Sequence, residues 1–449
     1  MTVLGLSKPS NGFKFYEEAR PEPRLFIFAS FPMTTISSSN RDVSRPEFIA
    51  LIAGLMALNA LAIDVMLPAL PYMGEALNVI NENDRHFVLT SYMLGFGFAQ
   101  IVFGPLSDRF GRRAPLMAGL AIYVIAAFAA AFSPTFATLL VLRFIQGMGA
   151  AATRVIATSL VRDKFGGRAM AEVMSLVFMV FMIIPVIAPA IGQILLLTGP
   201  WEYIFIFMAM LGFAISLWAF IRLPETLAPE NRRALRLGVI VEGFRLVVTN
   251  RMAFNYGLSA MFIFGALFGF ISTAQQIYVD IYGLGAYFPV AFAAMAGLMA
   301  ISSFTNSRIV RKVGMRRLSH GAMIVFTIVS GIWLAIALTG FMPLWLFFGL
   351  LSIIMFMFGW SMANINSLAM EPLGAVAGTA SSVFGLIQTV GGALLGTIIG
   401  QFFNGTVIPI AAGYFILGIV ALIFILIAEN GKLFGVGEEY QDEAVVEAH

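Results

Sequence analysis

A chain of 449 residues that is 59% hydrophobic and only 11% charged, with a mean hydropathy of +0.90, is not a soluble protein. A soluble domain carries roughly a quarter charged residues, and no soluble core of this length absorbs so much apolar surface. Cysteine is absent, which excludes disulfides, thiol catalysis and cysteine-ligated metals. The three histidines, His86, His320 and His449, lie far apart, so no metal site is expected.

In chain order, the first segment, 1–46, is polar with mixed charge and reads as a cytoplasmic tail. Its one apolar run, 25–32, is too short to span and lacks the organisation of a cleaved signal peptide. Met33 is a candidate start, and residues 1–32 are expected to be dispensable. Apolar stretches near the twenty or so residues needed to cross a bilayer then recur at 48–67, 87–106, 116–132, 138–159, 173–197 and 203–221. After a polar interval they resume at 252–271 (with a possible extension to 278), 288–304, 321–338, 344–363, 377–399 and 408–428. The expectation is an all-α membrane protein of twelve spans. It is organised as an N-terminal half, 47–221, a cytoplasmic linker, 222–251, a C-terminal half, 252–430, and an acidic cytoplasmic tail, 431–449.

Charge sets the orientation, because short cytoplasmic loops collect Lys and Arg. The loop after helix 2 holds Arg109, Arg112 and Arg113, that after helix 4 Arg162, Lys164 and Arg168, and that after helix 8 Arg308, Arg311, Lys312, Arg316 and Arg317. The linker adds Arg222, Arg232, Arg233, Arg236, Arg245 and Arg251, whereas the opposite loops show only Arg85. Both termini are therefore expected in the cytoplasm. The basic pI of about 9.1 is a topology signal that needs no nucleic acid. The two halves echo each other, since Asp108-Arg-Phe-Gly111-Arg-Arg113 after helix 2 is matched by Arg311-Lys-Val-Gly314-Met-Arg316 after helix 8. Duplication of a six-helix unit explains this, and such parallel repeats place a transport site between the halves near midplane.

Ionisable groups inside a span are functional candidates by default. Helix 4 carries Arg143 a few residues in from its periplasmic end, and helix 1 carries Asp64, the one carboxylate placed inside a span of the N-terminal half. At 1.5 Å rise per residue the two lie within about one turn of the same depth. A carboxylate that is neutral when dry and charged when wet can couple a proton to a conformational cycle; a static Asp64–Arg143 pair fixing helix packing is the alternative. Arg154 lies further along helix 4 toward the cytoplasm and reads as a side chain that snorkels to the interface. Polar candidates for a substrate cavity are Asn59, Tyr92, Gln146, Tyr256, Gln275, Asn364, Asn366 and Gln388, each equally able to serve as a helix–helix hydrogen bond.

The loop Gly104-Pro-Leu-Ser-Asp108-Arg109-Phe-Gly111-Arg112-Arg113 resembles the signature of the major facilitator superfamily between helices 2 and 3. Gly111 permits a tight turn, and Asp108 can complement the positive end of another helix. The resemblance implies that this partner is helix 11, starting near 374–377, and that the contact latches the cytoplasmic side shut. In helix 5, Pro185, Pro189 and Gly192 resemble the antiporter motif of drug-exporting facilitators, although the usual second glycine is Gln193 here. With Asp64-x-x-x-Pro68-x-x-Pro71 in helix 1 and Gln275-Gln276-Ile-Tyr278 in helix 7, the chain resembles the bicyclomycin/chloramphenicol-resistance branch of drug:H⁺ antiporters over about residues 45–430. That implies a monomeric, proton-driven exporter of small amphipathic compounds, neutral or cationic, in a bacterial inner membrane, with no cofactor beyond the proton gradient. Proton-coupled uptake or exchange of a metabolite is the alternative, and a non-transporting scaffold or sensor lacks an extramembrane domain on which to act. No phosphate loop or nucleophile elbow is present, so no enzymatic activity is expected.

Overall fold

The computed structural model describes residues 43–165, 167–232 and 237–435. The expectations for the N-terminal tail up to residue 42, and for most of the acidic tail, lie outside these residues. Helix α1 is Arg45–Asp64, started by the Ser44 side chain accepting from Glu47 N. It continues through a 3₁₀ turn into a short helix, Leu70–Ala76. Then come α2 Phe87–Phe110, α3 Arg113–Ala130, α4 Phe136–Lys164, α5 Gly167–Thr198 and α6 Glu202–Arg222. The second set is α7 Arg251–Gln275, α8 Phe288–Val313, α9 Met315–Ala337, α10 Leu344–Met370, α11 from Ala377–Leu386 to Gly392–Gln401, and α12 Ile408–Ala428. Among the described residues, eleven of these are long and apolar enough to cross a membrane. The twelfth span is α5, in which Ile183–Thr198 is the described apolar portion.

Some features go beyond the reading of the sequence. The linker is not uniformly polar, for it contains a thirteen-residue helix, Leu237–Thr249, whose Val247 is buried and whose Phe244 packs on the core. Helix α7 runs on past 271, as the longer of its two expected bounds has it, and ends in a π-helical segment, Gln276–Ile281. A second π-helical segment, Ile387–Gly391, divides α11. Segments of this kind shift the register of the residues beyond them and cluster at functional places in helices.

The internal repeat has structural counterparts. Gly111, between α2 and α3, has φ +90°, and Gly314, between α8 and α9, has φ +86°, values natural to glycine alone. Just after each glycine an arginine ties the corner to the ends of neighbouring helices. Arg112 meets Asp163 at the end of α4 at 2.8 Å, and Arg316 meets Glu371, just past α10, at 3.2 Å. Helices α1 and α6 are joined by Glu47–Arg222 at 2.6 Å. In the second half Arg251 reaches from the start of α7 to the Ala428 carbonyl at the end of α12 at 3.0 Å. These corners mark one face of the bundle, called the basic face below.

Within the N-terminal half the helices close on glycines. A Cβ added to Gly147 of α4 would collide with the Tyr92 carbonyl of α2, one on Gly95 with the Phe144 carbonyl, and one on Gly149 with the Gly119 carbonyl of α3. Backbone approach of this kind is how helices associate where lipid removes the hydrophobic drive. Gly147→Leu is therefore expected to lower the thermal stability of the purified protein markedly, since overpacking a close contact costs about 1–3 kcal/mol or more. Gly349→Ala, at a glycine with open space around it, should leave the melting temperature unchanged in the same fluorescence-detected unfolding assay.

Candidate functional site

Arg143 is fully buried on α4, and its guanidinium is held mainly by neutral groups. Nη2 donates to the Ala62 carbonyl of α1 at 3.0 Å, Nε to the Val88 carbonyl of α2 at 3.3 Å, and Nη1 to Gln146 Oε1 at 2.7 Å. The cation lies 4.3 Å from the centre of the Tyr92 ring, within the range of a cation–π contact. Tyr92 in turn donates to Asn59 Oδ1 at 3.0 Å. Asn59, Tyr92 and Gln146 thus join α1, α2 and α4 around one arginine, and all three are buried.

Asp64 stands two residues beyond Ala62, so it shares the depth of Arg143 as expected. The two do not form an ion pair. The Asp64 carboxylate is buried, 4% exposed, and has no hydrogen-bond or ion-pair partner among the described residues. Gly192 of α5 brings its backbone directly against the Val65 carbonyl beside it, while Pro185 and Pro189 lie inside α5 without ending it. The residues of the antiporter-like segment therefore pack α5 against the end of α1 that carries Asp64.

Away from the basic face the two halves are sealed by side chains that sequence reading left in a loop. Asn83 Nδ2 donates to the Gln401 and Phe403 carbonyls at 3.1 and 2.9 Å, and Gln401 Nε2 returns a bond to the Asn83 carbonyl at 3.0 Å. Gln276 Nε2 donates to Asn83 Oδ1 at 3.1 Å, and its Oε1 meets His86 Nε2 at 2.9 Å. One turn deeper the hydroxyls of Thr90 on α2 and Thr397 on α11 are 2.6 Å apart. Every one of these contacts joins the first half to the second. The neighbouring Gln275 instead turns to Asp280 at 3.5 Å.

Toward the basic face the halves part around a cavity of about 280 Å³ lined by α2, α4, α10 and α11. Its inner end is the crossing of Gln100 and Thr389, 3.4 Å apart. Arg154, Thr158, Ser159 and Arg162 line it from α4, Asn366 and Met370 from α10, and Ser381, Ser382, Gly385 and Gln388 from α11. Of the polar residues singled out in the sequence, Asn366 and Gln388 lie here. Asn364 is turned away to Asn306 at 2.8 Å and the Trp360 carbonyl at 2.7 Å. Tyr256 is bonded to His320 at 2.9 Å and Glu429 at 2.6 Å.

A family model described as the Major Facilitator Superfamily matches residues 52–395. The chain belongs to that superfamily. It is 31% identical over 378 residues to a bicyclomycin resistance protein homolog of Haemophilus influenzae, covering 82% of this chain and 93% of that one. It is 29% identical over 416 residues to the multidrug resistance protein MdtL of Escherichia fergusonii, covering 89% of this chain and the whole of the relative. Among solved structures, a bacterial homolog of the human lysosomal transporter Spinster, in an inward-facing and occupied conformation, shares the fold. It gives a TM-score of 0.63 at 16% identity, over 86% of this chain and 95% of that one.

The superfamily signature forms a charged corner at the mouth of the cavity. Arg112, 4% exposed, donates to Asp108 at 2.6 Å, Asp163 at 2.8 Å and Ser107 at 2.8 Å. Burial alone would pull the Arg112 pKa down, but the bonds and charges of Asp163 and Asp108 hold it above its ordinary value. Glu225, from the linker, accepts the backbone N–H groups of Arg112 and Arg113 at 2.8 and 3.1 Å, which caps the start of α3 with negative charge. A side chain at Gly111 would collide with this carboxylate. Arg113 stacks on Phe220 at 5.1 Å, and exposed Arg109 lies over Phe110 at 5.7 Å. Across the cavity mouth, Gly104 approaches α11, where a Cβ would sit 3.6 Å from Ser382 Oγ. Asp108 itself faces the same space as Ser381 and Gly385 while engaged by Arg112.

The seal suggests a reversible lock. The side-chain oxygens of Thr90 and Thr397 lie close enough that cysteines placed there can reach the disulfide length of about 2.05 Å, and the chain has no cysteine to interfere. Thr90→Cys/Thr397→Cys should cross-link under mild oxidation, stop substrate counterflow in proteoliposomes at least tenfold, and recover on reduction.

Proposed function

We propose that this protein is a proton-coupled exporter of small amphipathic, drug-like compounds, working by alternating access in a bacterial inner membrane. The observation that carries the reading is the polarity of the interface between the halves: hydrogen-bonded shut beyond Asn83 and Thr90, open in a polar cavity toward the basic face. The relatives bearing bicyclomycin and multidrug resistance names support the direction and the class of cargo. The Lys/Arg-rich face is taken as cytoplasmic by the positive-inside rule, which puts both termini there and makes the cavity the entry for cytoplasmic substrate. The working unit is one chain, with protons, substrate and lipid as its partners and no cofactor.

Coupling is assigned to Asp64, with Arg143 as the group that fixes its surroundings. A carboxylate that is dry in one state and wet in the other changes its proton occupancy between them. Asp64 sits at the sealed end of α1 and does not line the cavity, so opening of the seal is the event that would wet it. Arg143 donates to the carbonyl two residues away and holds α1 in place through that change. In the state with the basic face closed, Asp108 is assigned to the start of α11, completing the latch of Gly104, Asp108, Arg109, Gly111, Arg112 and Arg113.

Asp64→Asn should remove ΔpH-driven uptake of substrate into everted vesicles by at least tenfold while leaving energy-independent counterflow within about threefold of wild type. The measurement is a fluorescent-drug accumulation assay in vesicles energised by an imposed pH gradient. Undiminished gradient-driven accumulation in the variant would remove Asp64 from the coupling role.

A further inference from the structure

Among the described residues, two arginines of the cavity make no hydrogen bond or ion pair through their side chains, which bears on what the cavity accepts. Arg154 lies on α4 inside the span 138–159, about five residues from its basic-face end, and eight residues, about 12 Å along the axis, deeper into the cavity than Arg162. Its side chain is exposed to the cavity. Among the described residues its guanidinium makes no hydrogen bond or ion pair; its one recorded neighbour is the Phe96 ring at 5.9 Å. The side chain lines the cavity between the halves together with Thr158, Ser159 and Arg162. Arg143, eleven residues earlier on the same helix, is saturated by carbonyls and an amide. Arg162, two turns later on the same side of α4, also lines the cavity and has no ion pair or hydrogen bond among the described residues.

We propose that Arg154 is the anion receptor of this cavity, and that the transported compounds are amphipathic organic acids carrying a carboxylate or a comparable oxyanion. The inference rests on the transport reading above and replaces the neutral or cationic cargo expected from resemblance. An unpaired arginine at membrane depth is costly and marks a pathway. Its planar fork matches a carboxylate with two parallel bonds. Asp108, the one carboxylate among the described residues lining the cavity, is already bonded to Arg112 at 2.6 Å, so it offers little to a cationic compound. Arg162 at the mouth and Arg154 inside give the cavity a positive potential that draws anions inward. Gln100, Asn366 and Gln388 supply neutral amides to orient the remainder of the molecule.

The test uses the purified full chain and three probes that share a ring and differ in charge: 2-naphthoate, 2-naphthamide and 2-naphthyltrimethylammonium. Binding is measured by isothermal titration at low and moderate salt. Naphthoate is expected to bind at least tenfold more tightly than either analogue. Arg154→Gln should erase that preference, Arg154→Lys should retain part of it, and Arg162→Gln should weaken naphthoate less and mainly at low salt. Equal responses to the three probes, including none at all, would overturn the proposal, as would a preference that survives Arg154→Gln. The ranking in the wild-type chain tests the idea even if the glutamine variant does not fold. Because binding in detergent needs neither a gradient nor a direction, carboxylate preference without drug export would sink only the export reading. Export of drugs with no preference for the acid would sink only this inference.

Discussion

A bilayer core holds no water, so each polar group placed in it must be satisfied by the protein or by a wet cavity. The structure follows that constraint closely at Arg143, whose guanidinium is taken up by two carbonyls, an amide and an aromatic face. Arg154, with no ion pair or hydrogen bond among the described residues, meets it by facing an open cavity, and the departure is Asp64, buried and without a partner among the described residues. Arg143 sits between these two places on α1 and α4, and the glycine contacts of α2, α3 and α4 hold it there. The rigid half is what allows a solitary carboxylate and a solitary guanidinium to keep fixed positions while the halves move.

The two ends of the interface between the halves are built differently. At the sealed end, the contacts from Asn83, His86 and Thr90 to Gln276, Thr397, Gln401 and Phe403 are neutral hydrogen bonds. Each contributes about 1 kcal/mol net, so the seal is strong as a set but can be exchanged for water. At the basic face the strong contacts lie within each half: Arg112 with Asp108 and Asp163, Arg316 with Glu371 and Glu429. Charge holds each half as a body, and weaker polar contacts join the bodies. That division of strength suits alternating access by rocking of one half against the other.

Much of this was legible in the sequence, for identifiable reasons. Length and hydropathy locate the spans because helices must be long and apolar to cross lipid, and the repeated Gly111 and Gly314 turns carry their own signature through positive φ. Asp64 and Arg143 stand out because charge is rare in such segments. Side-chain roles were less legible. Asn59, Tyr92, Gln146, Tyr256 and Asn364 are polar residues in spans, but each is occupied by a neighbour within its own half. Composition cannot distinguish a helix–helix bond from a cavity wall. The seal was missed because Asn83 and His86 look like loop residues, and because the π-helical segment from Gln276 makes that glutamine, not Gln275, the one that reaches Asn83. Arg154 was discounted for lying toward the basic face, since sequence gives depth along a helix but not which way the helix turns.

The central claim is that the sealed end and the cavity are mutually exclusive openings of one interface. Pulsed electron–electron spin resonance tests it directly, with one label pair at Ile80 and Thr406 beyond the seal and another at Arg109 and Lys312 on the basic face, all exposed positions. Distances are compared across pH from about 5 to 8.5 in lipid nanodiscs. The account predicts two populations at each pair that exchange in opposite directions, the outer distance lengthening as the inner one shortens. Distances that stay single and fixed at both pairs, or that lengthen together, would contradict it.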